Sequence, residues 1–209
     1  MSILTFICII ATECGIAQNA IRPADRVSGL SGWHVQEGSP DVWRFDGKVI
    51  SCTAGRGGFL TMDDQYGDFE LKLEYKIQAG GNSGIGVHYP PGGHPSTTGF
   101  EIQILDDNAP KHRGLKPAQY NGSIYKFAPP LRKAAKPPGE WNRMDVICKD
   151  PWITVKLNGV EIQHVNLDDF TTADGAETPL AKRPRRGCIG LQSHDDPVEF
   201  RSIKIRALK

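Results

Sequence analysis

Apolar and polar residues alternate along much of this chain. The clearest run is Phe69–Gln78, where Phe69, Leu71, Leu73, Tyr75 and Ile77 interleave with Glu70, Lys72, Glu74, Lys76 and Gln78. Successive strand side chains point to opposite faces, so this run predicts a strand buried on one side and wet on the other, as in an antiparallel sheet. Its four charged residues read as a solvated outer face. Further strands are predicted at Ser31–Glu37, Val42–Thr53 (bent at Asp46-Gly47), Trp141–Lys149, Gly187–His194 and Val198–Ala207. Asn158-Gly159 inside Ile153–His164 is the strongest hairpin signal. Gly55–Gly58 reads as a turn, because it lacks the Lys and Ser/Thr of a phosphate loop. No long segment carries a helical period, and no repeat is visible. The order predicts an all-β, antiparallel two-sheet β-sandwich.

Two strands in the middle concentrate the polar chemistry. Ser83–Tyr89 and Gly99–Leu105 are joined by a loop rich in Pro, Gly, Ser and Thr. By parity Phe100, Ile102 and Ile104 share one face of the second strand, and Glu101, Gln103 and Leu105 the other. In the first strand Ile85, Val87 and Tyr89 oppose Gly84, Gly86 and His88. The glycines predict an open face that something can approach. Gly187–His194 repeats the theme, with Ile189, Leu191 and Ser193 opposite Gly190, Gln192 and His194. Glu101, Gln103, His88, Gln192 and His194 are therefore candidates for one polar face, with Glu101 at its chemical centre. A carboxylate and an imidazole close to one substrate can perform general acid–base chemistry. The plainer alternatives are a solvent-facing Glu101 and structural histidines.

Composition narrows the setting. The 209 residues suit one domain, and 23 Gly with 15 Pro fit short strands joined by turns. A formal net charge of +1 suggests neither nucleic acid nor an anionic membrane as partner. The apolar run Ile3–Ala11 is too short for a membrane span and has the length of a secretory h-region. Small residues at 15–17 predict a signal peptide over 1–17, a linker over 18–27 and a domain over 28–209, in a secreted or periplasmic protein. The leader lacks a positive n-region. Cys52, Cys148 and Cys188 show no zinc or CxxC spacing, and Cys148 reads as a buried free thiol. Asp106, Asp107 and Asn108 have oxygen ligands for a hard cation but not EF-hand spacing, and read as a solvated turn.

An ordinary glycosidase needs two carboxylates flanking the scissile bond. The same-face neighbours of Glu101 are Gln103 and Leu105, and Asp106 has the wrong parity unless a bulge intervenes. This strand therefore lacks the usual pair.

Several motifs, in one order, resemble the 3-keto-disaccharide hydrolase domain family, formerly DUF1080. They include Tyr66-Gly67-Asp68-Phe69, Gly81-Asn82-Ser83-Gly84-Ile85, Phe100-Glu101-Ile102-Gln103-Ile104-Leu105-Asp106, Gly122-Ser123-Ile124-Tyr125 and Gly190-Leu191-Gln192-Ser193-His194-Asp195. The resemblance spans about residues 28–208. It implies a concanavalin A-like, jelly-roll sandwich acting on glycosides or oligosaccharides already oxidised at C3, and hence a sugar 3-dehydrogenase upstream. A C3 ketone acidifies the C2 hydrogen, so a base can form an enolate that expels the C1 substituent before water adds. The resemblance implies Glu101 and His194 as the acid–base pair, and Asn82, Gln103, Tyr125 and Gln192 as substrate-binding residues, to which strand parity adds His88. A divalent metal ion at the ketone would draw its ligands from Glu101, His194 and Asp195. The loop before Glu101 and the insertion at 168–186 depart from the family pattern. The alternative on the same fold is a non-catalytic, lectin-like carbohydrate-binding module.

Overall fold

The computed structural model describes residues 27–53, 55–173 and 177–209. The expected leader and nearly all of the linker lie outside the described residues. Among those residues no helix is long and apolar enough to cross a membrane.

Among the described residues, twelve strands form two antiparallel sheets. β1 (Trp33–Gln36), β4 (Gly58–Met62), β11 (Cys188–Ser193), β6 (Asn82–Tyr89) and β7 (Phe100–Leu105) make a five-stranded sheet in that order. The seven-stranded sheet runs β10 (Val160–Asn166), β9 (Trp152–Leu157), β8 (Asn142–Lys149), β5 (Phe69–Ile77), β12 (Val198–Ala207), β3 (Val49–Cys52) and β2 (Trp43–Phe45). The inner faces supply one core. Leu60, Ile85, Val87, Ile102, Ile104, Ile189 and Leu191 come from the smaller sheet, and Phe69, Leu71, Leu73, Tyr75, Met144, Val146, Val155 and Phe200 from the larger. Burial of these apolar faces is the main stabilising term.

β5 has the alternation its sequence predicts, buried at every odd position. Its outer charges are paired across the sheet, Glu70 with Arg206, Glu74 with Arg201 and Lys76 with Glu199. β4 was not legible, because it is covered on both sides. Leu60 and Met62 enter the core, while Phe59 lies beside Tyr89 and His94, and Thr61 bonds Tyr89. A strand covered on both faces loses the period-2 signal.

β7 lies at the end of its sheet, yet its outer edge is not bare. Gln103 N–H donates to Ser123 O, while Gly122 N–H and Tyr125 N–H donate to Gln103 O and Glu101 O. Residues 122–125 thus pair with β7 and bring Tyr125 beside Glu101. Unpaired edges invite association with other chains, and this segment removes that exposure.

Candidate active site

Glu101 sits on the outward face of β7 in a cleft of about 210 Å³, lined by Asn82, His94, Ser96, Gln103, Tyr125, Lys126, Gln192 and His194. Its side chain is nearly enclosed, with the residue 4% exposed. Burial pushes its carboxyl from 4.5 up to about 8, against smaller opposing effects of a hydrogen bond from Gln192 and the charge of Lys126. Such a strongly displaced carboxyl in a polar cleft marks a candidate catalytic group. The solvent-facing alternative for Glu101 is excluded by its burial.

The space for that carboxyl comes from the neighbouring strand. A Cβ at Gly84 would stand 2.3 Å from Glu101 Oε1, so any residue larger than glycine would displace the carboxyl. Gly86 serves another purpose. Pro95 fills the niche above it, and a Cβ there would meet Pro95 Cγ at 2.5 Å. The face expected to be open is therefore open at Gly84 to the Glu101 side chain and closed at Gly86 by the chain's own loop.

Five of the candidate site residues line the cleft around Glu101: Asn82, Gln103, Tyr125, Gln192 and His194. Gln103 is buried and its Oε1 accepts from the Ile104 N–H at 3.2 Å. Asn82 Oδ1 is buried without a hydrogen-bond partner, an uncompensated acceptor in a cleft suited to hydroxyl donors. Ser83 Oγ donates to Gln192 O at 2.7 Å, tying β6 to the end of β11. His194 lies just past β11, exposed, with Nδ1 3.4 Å from Asp195 Oδ2.

His88 does not join them. Between β6 and β11 the register passes from Val87↔Ile189 to Tyr89↔Cys188, which makes His88 the extra residue of a β-bulge, with φ +53°. The bulge turns His88 inward and Tyr89 outward, the reverse of simple alternation. The His88 ring packs edge-on against Phe69 and Phe100, each at 5.7 Å, and its Nε2–H donates to Gly67 O at 2.8 Å. Burial holds its pKa below the usual histidine value. Tyr89 instead bonds Thr61 Oγ1 at 2.7 Å on the cleft side of the sheet. The substrate-binding role expected for His88 is corrected to a structural one.

Asp106 is also separate. It lines a different cavity, with Asp107, Asn108 and Lys133, and caps its own turn through bonds from Gly80 N–H and Asn108 N–H. Glu101 is the only carboxylate lining its cleft among the described residues. A second lobe of about 230 Å³ adjoins it, shares His94, Gln192 and His194, and adds Glu37, Arg56, Phe59, Ser193 and Asp195.

The donor set does not fit a metal ion well. Among the described residues no three His, Cys, Asp or Glu side chains form a group that could hold one.

The sequence reading missed His94, Ser96 and Lys126. His-Pro-Ser-Thr-Thr is in fact a start signal for a helical turn, with proline at its first position. The turn is α1 (Pro95–Thr98), with His94 as its N-cap.

Residues 28–206 match the family described as the 3-keto-alpha-glucoside-1,2-lyase-like domain. The chain belongs to this family. A relative in Bacteroides thetaiotaomicron, named 3-keto-disaccharide hydrolase, is 27% identical over 218 residues, covering 86% of this chain and 75% of the relative. A crystal structure of a candidate glycosyl hydrolase from Parabacteroides distasonis is similar, with TM-score 0.74, 30% identity, and 84% of this chain and 99% of that one covered. The carbohydrate-binding module CBM66 from Bacillus subtilis shares the fold at TM-score 0.55 and 11% identity, over 86% of this chain and 98% of the module.

Proposed function

We propose that this family member cleaves glycosides already oxidised at C3 of the sugar, by removing the C2 proton, eliminating the C1 substituent and adding water. The observation that carries this reading is Glu101, a carboxyl buried in a sugar-sized polar cleft, raised to about 8 and without a second carboxylate lining that cleft. Direct acetal hydrolysis needs a flanking carboxylate pair. Abstraction of a proton next to a ketone needs one base with a raised pKa.

In this mechanism ionised Glu101 takes the C2 proton. The electron pair moves onto the C3 oxygen, then collapses to form C1=C2 as the C1–O bond breaks. His194 gives a proton to the leaving oxygen. Water then adds, its oxygen to C1 and a proton to C2, so the net change is hydrolysis. Asn82 Oδ1, Gln103, Tyr125 and Gln192 hold the sugar hydroxyls. No step is routed through a metal ion. The substrate must come from an oxidation of the sugar C3 hydroxyl, the reaction class of a sugar 3-dehydrogenase. Export to the periplasm or beyond belongs to the same reading and is checked by cell fractionation.

The lectin-like alternative has one observation in its favour. A larger cavity of about 500 Å³, lined in part by Trp33, Phe45 and Tyr66, offers aromatic edges away from Glu101. The deciding assay uses purified protein on a glucoside and on its 3-keto derivative, each with and without EDTA. Cleavage of the keto form alone supports the proposal, and unchanged rates with EDTA support a metal-free route. Cleavage of the plain glucoside would return the argument to a carboxylate pair, with Glu37 or Asp195 as partner. Binding without cleavage would favour the lectin-like module.

A further inference from the structure

The loop between β6 and β7 holds a histidine ring in one tautomer. His94 Nδ1 accepts the Ser96 backbone N–H at 3.3 Å, with Ser96 Oγ 3.0 Å away. A backbone N–H can only donate, so Nδ1 is an acceptor, and in the neutral ring the proton sits on Nε2. Glu37 Oε2 stands 4.0 Å from Nε2, beyond hydrogen-bond length. The ring also stands edge-on to Phe59, with centroids 5.2 Å apart.

The loop that carries this ring is anchored on every side. Pro95 fills the niche over Gly86. Gln36 accepts from Gly92 N–H and donates to Gly93 O at 2.7 Å. The Thr97 and Thr98 hydroxyls donate to His94 O. Arg183, from the insertion that departs from the family pattern, donates through Nη1 to Ser96 O at 2.8 Å and Gly99 O at 2.7 Å. The ring is thus presented to the cleft by a braced loop, at the place where the two lobes join.

We propose that His94 Nε2–H is the fixed donor that binds the C3 oxygen of the substrate as charge develops there. This rests on the keto-glycoside reading above. A ring whose Nδ1 is engaged as acceptor is poorly placed to relay protons, since losing the Nε2 proton would leave an imidazolate. It can still polarise a carbonyl and stabilise an oxyanion by a preorganised hydrogen bond. The step balances without His94 changing its protonation. The C2 proton passes to Glu101, the electron pair passes to the C3 oxygen, and the Nε2 proton stays on nitrogen. Glu37, Arg56 and Asp195 line one lobe beside it, Glu101 and Lys126 the other, and His194 lines both.

The test has two parts. Two-bond ¹H–¹⁵N spectra of the wild-type protein report the tautomer, and Nε2–H is expected at His94. An Nδ1–H tautomer would overturn the proposal whatever the substrate. On a 3-keto-glucoside, His94→Ala should lower kcat by about 10²–10³, the usual effect of losing one oxyanion donor, with KM little changed. His94→Gln, which keeps an N–H donor, should recover part of the loss. Thermal melting verifies that both variants are folded. Wild-type kcat in a folded His94→Ala, or a loss carried entirely by KM, would overturn the assignment. Wild-type protein inert on the keto-glycoside would remove the underlying reading instead, an outcome distinct from an active wild type matched by its variant.

Discussion

Gly84 on β6 lies directly beneath the carboxyl of Glu101 on β7. A Cβ at residue 84 would come within 2.3 Å of Oε1 and 2.9 Å of Cδ and Cγ. Gly84→Ala therefore displaces the carboxyl without touching the inner core. Overpacking of this kind costs roughly 1–3 kcal/mol, so the variant should fold. Its kcat on a 3-keto-glucoside should fall by at least about tenfold, since small misplacements of a reacting group are costly. Full activity in the alanine variant would show that the carboxyl need not occupy this position.

The raised pKa of Glu101 has a consequence for stability. Its folded value, about 8, lies above the 4.5 of a free glutamate. Between those values the folded state holds a proton that the unfolded state has lost. The group's contribution to stability is complete below 4.5 and is lost as pH rises from there through about 8. Glu101→Gln removes this slope. Urea unfolding at pH 5 and pH 8 should find the variant progressively more stable relative to wild type at the higher pH. Parallel pH dependences in the two proteins would contradict the buried-carboxyl assignment. If ionised Glu101 is the base, wild-type kcat/KM should also climb with pH until about 8.

Much of this was legible in the sequence, and the exceptions have physical causes. β5 could be read directly because one face is buried and the other is wet. Glu101 and Gln103 could be placed on one face of β7 because that strand keeps strict alternation. His88 and Tyr89 were exchanged because a one-residue bulge reverses parity, and nothing in Gly-Val-His-Tyr announces a bulge. β4 was missed because burial on both faces erases its period. His94 was overlooked because its importance comes from a local cap and from the bracing of its loop by Gln36 and Arg183, far away in the chain.

Arg183 tests how far the insertion supports the cleft. Its Nε donates to Thr178 O at 2.6 Å, its Nη1 holds Ser96 O and Gly99 O, and its guanidinium lies over the Phe127 ring at 4.8 Å. Each hydrogen bond to a charged group contributes roughly 1.5–3 kcal/mol. Arg183→Ala should lower the urea midpoint and reduce kcat. Arg183→Lys should recover little, since one ammonium cannot reproduce the guanidinium fork. Wild-type kcat in the alanine variant would separate the insertion from the site.

The cysteines give a check on the core. Cys148 and Cys188 are free thiols and, like Cys52, they are buried. Burial holds the Cys148 thiol well above its usual range and pushes Cys188 up to about 11. Thiol labelling at pH 8 followed by peptide mapping should find Cys148 and Cys188 protected in native protein and reactive in urea. Rapid native labelling of Cys148 would contradict the packing between β5 and β8.

The most direct test of the central claim is to run the reaction in D₂O and examine the 3-keto sugar product by mass spectrometry and NMR. Elimination followed by hydration predicts one solvent-derived deuterium at C2, formed at the rate of cleavage and abolished in Glu101→Gln. Cleavage that leaves the original hydrogen at C2 would contradict proton abstraction by Glu101 and the mechanism built on it.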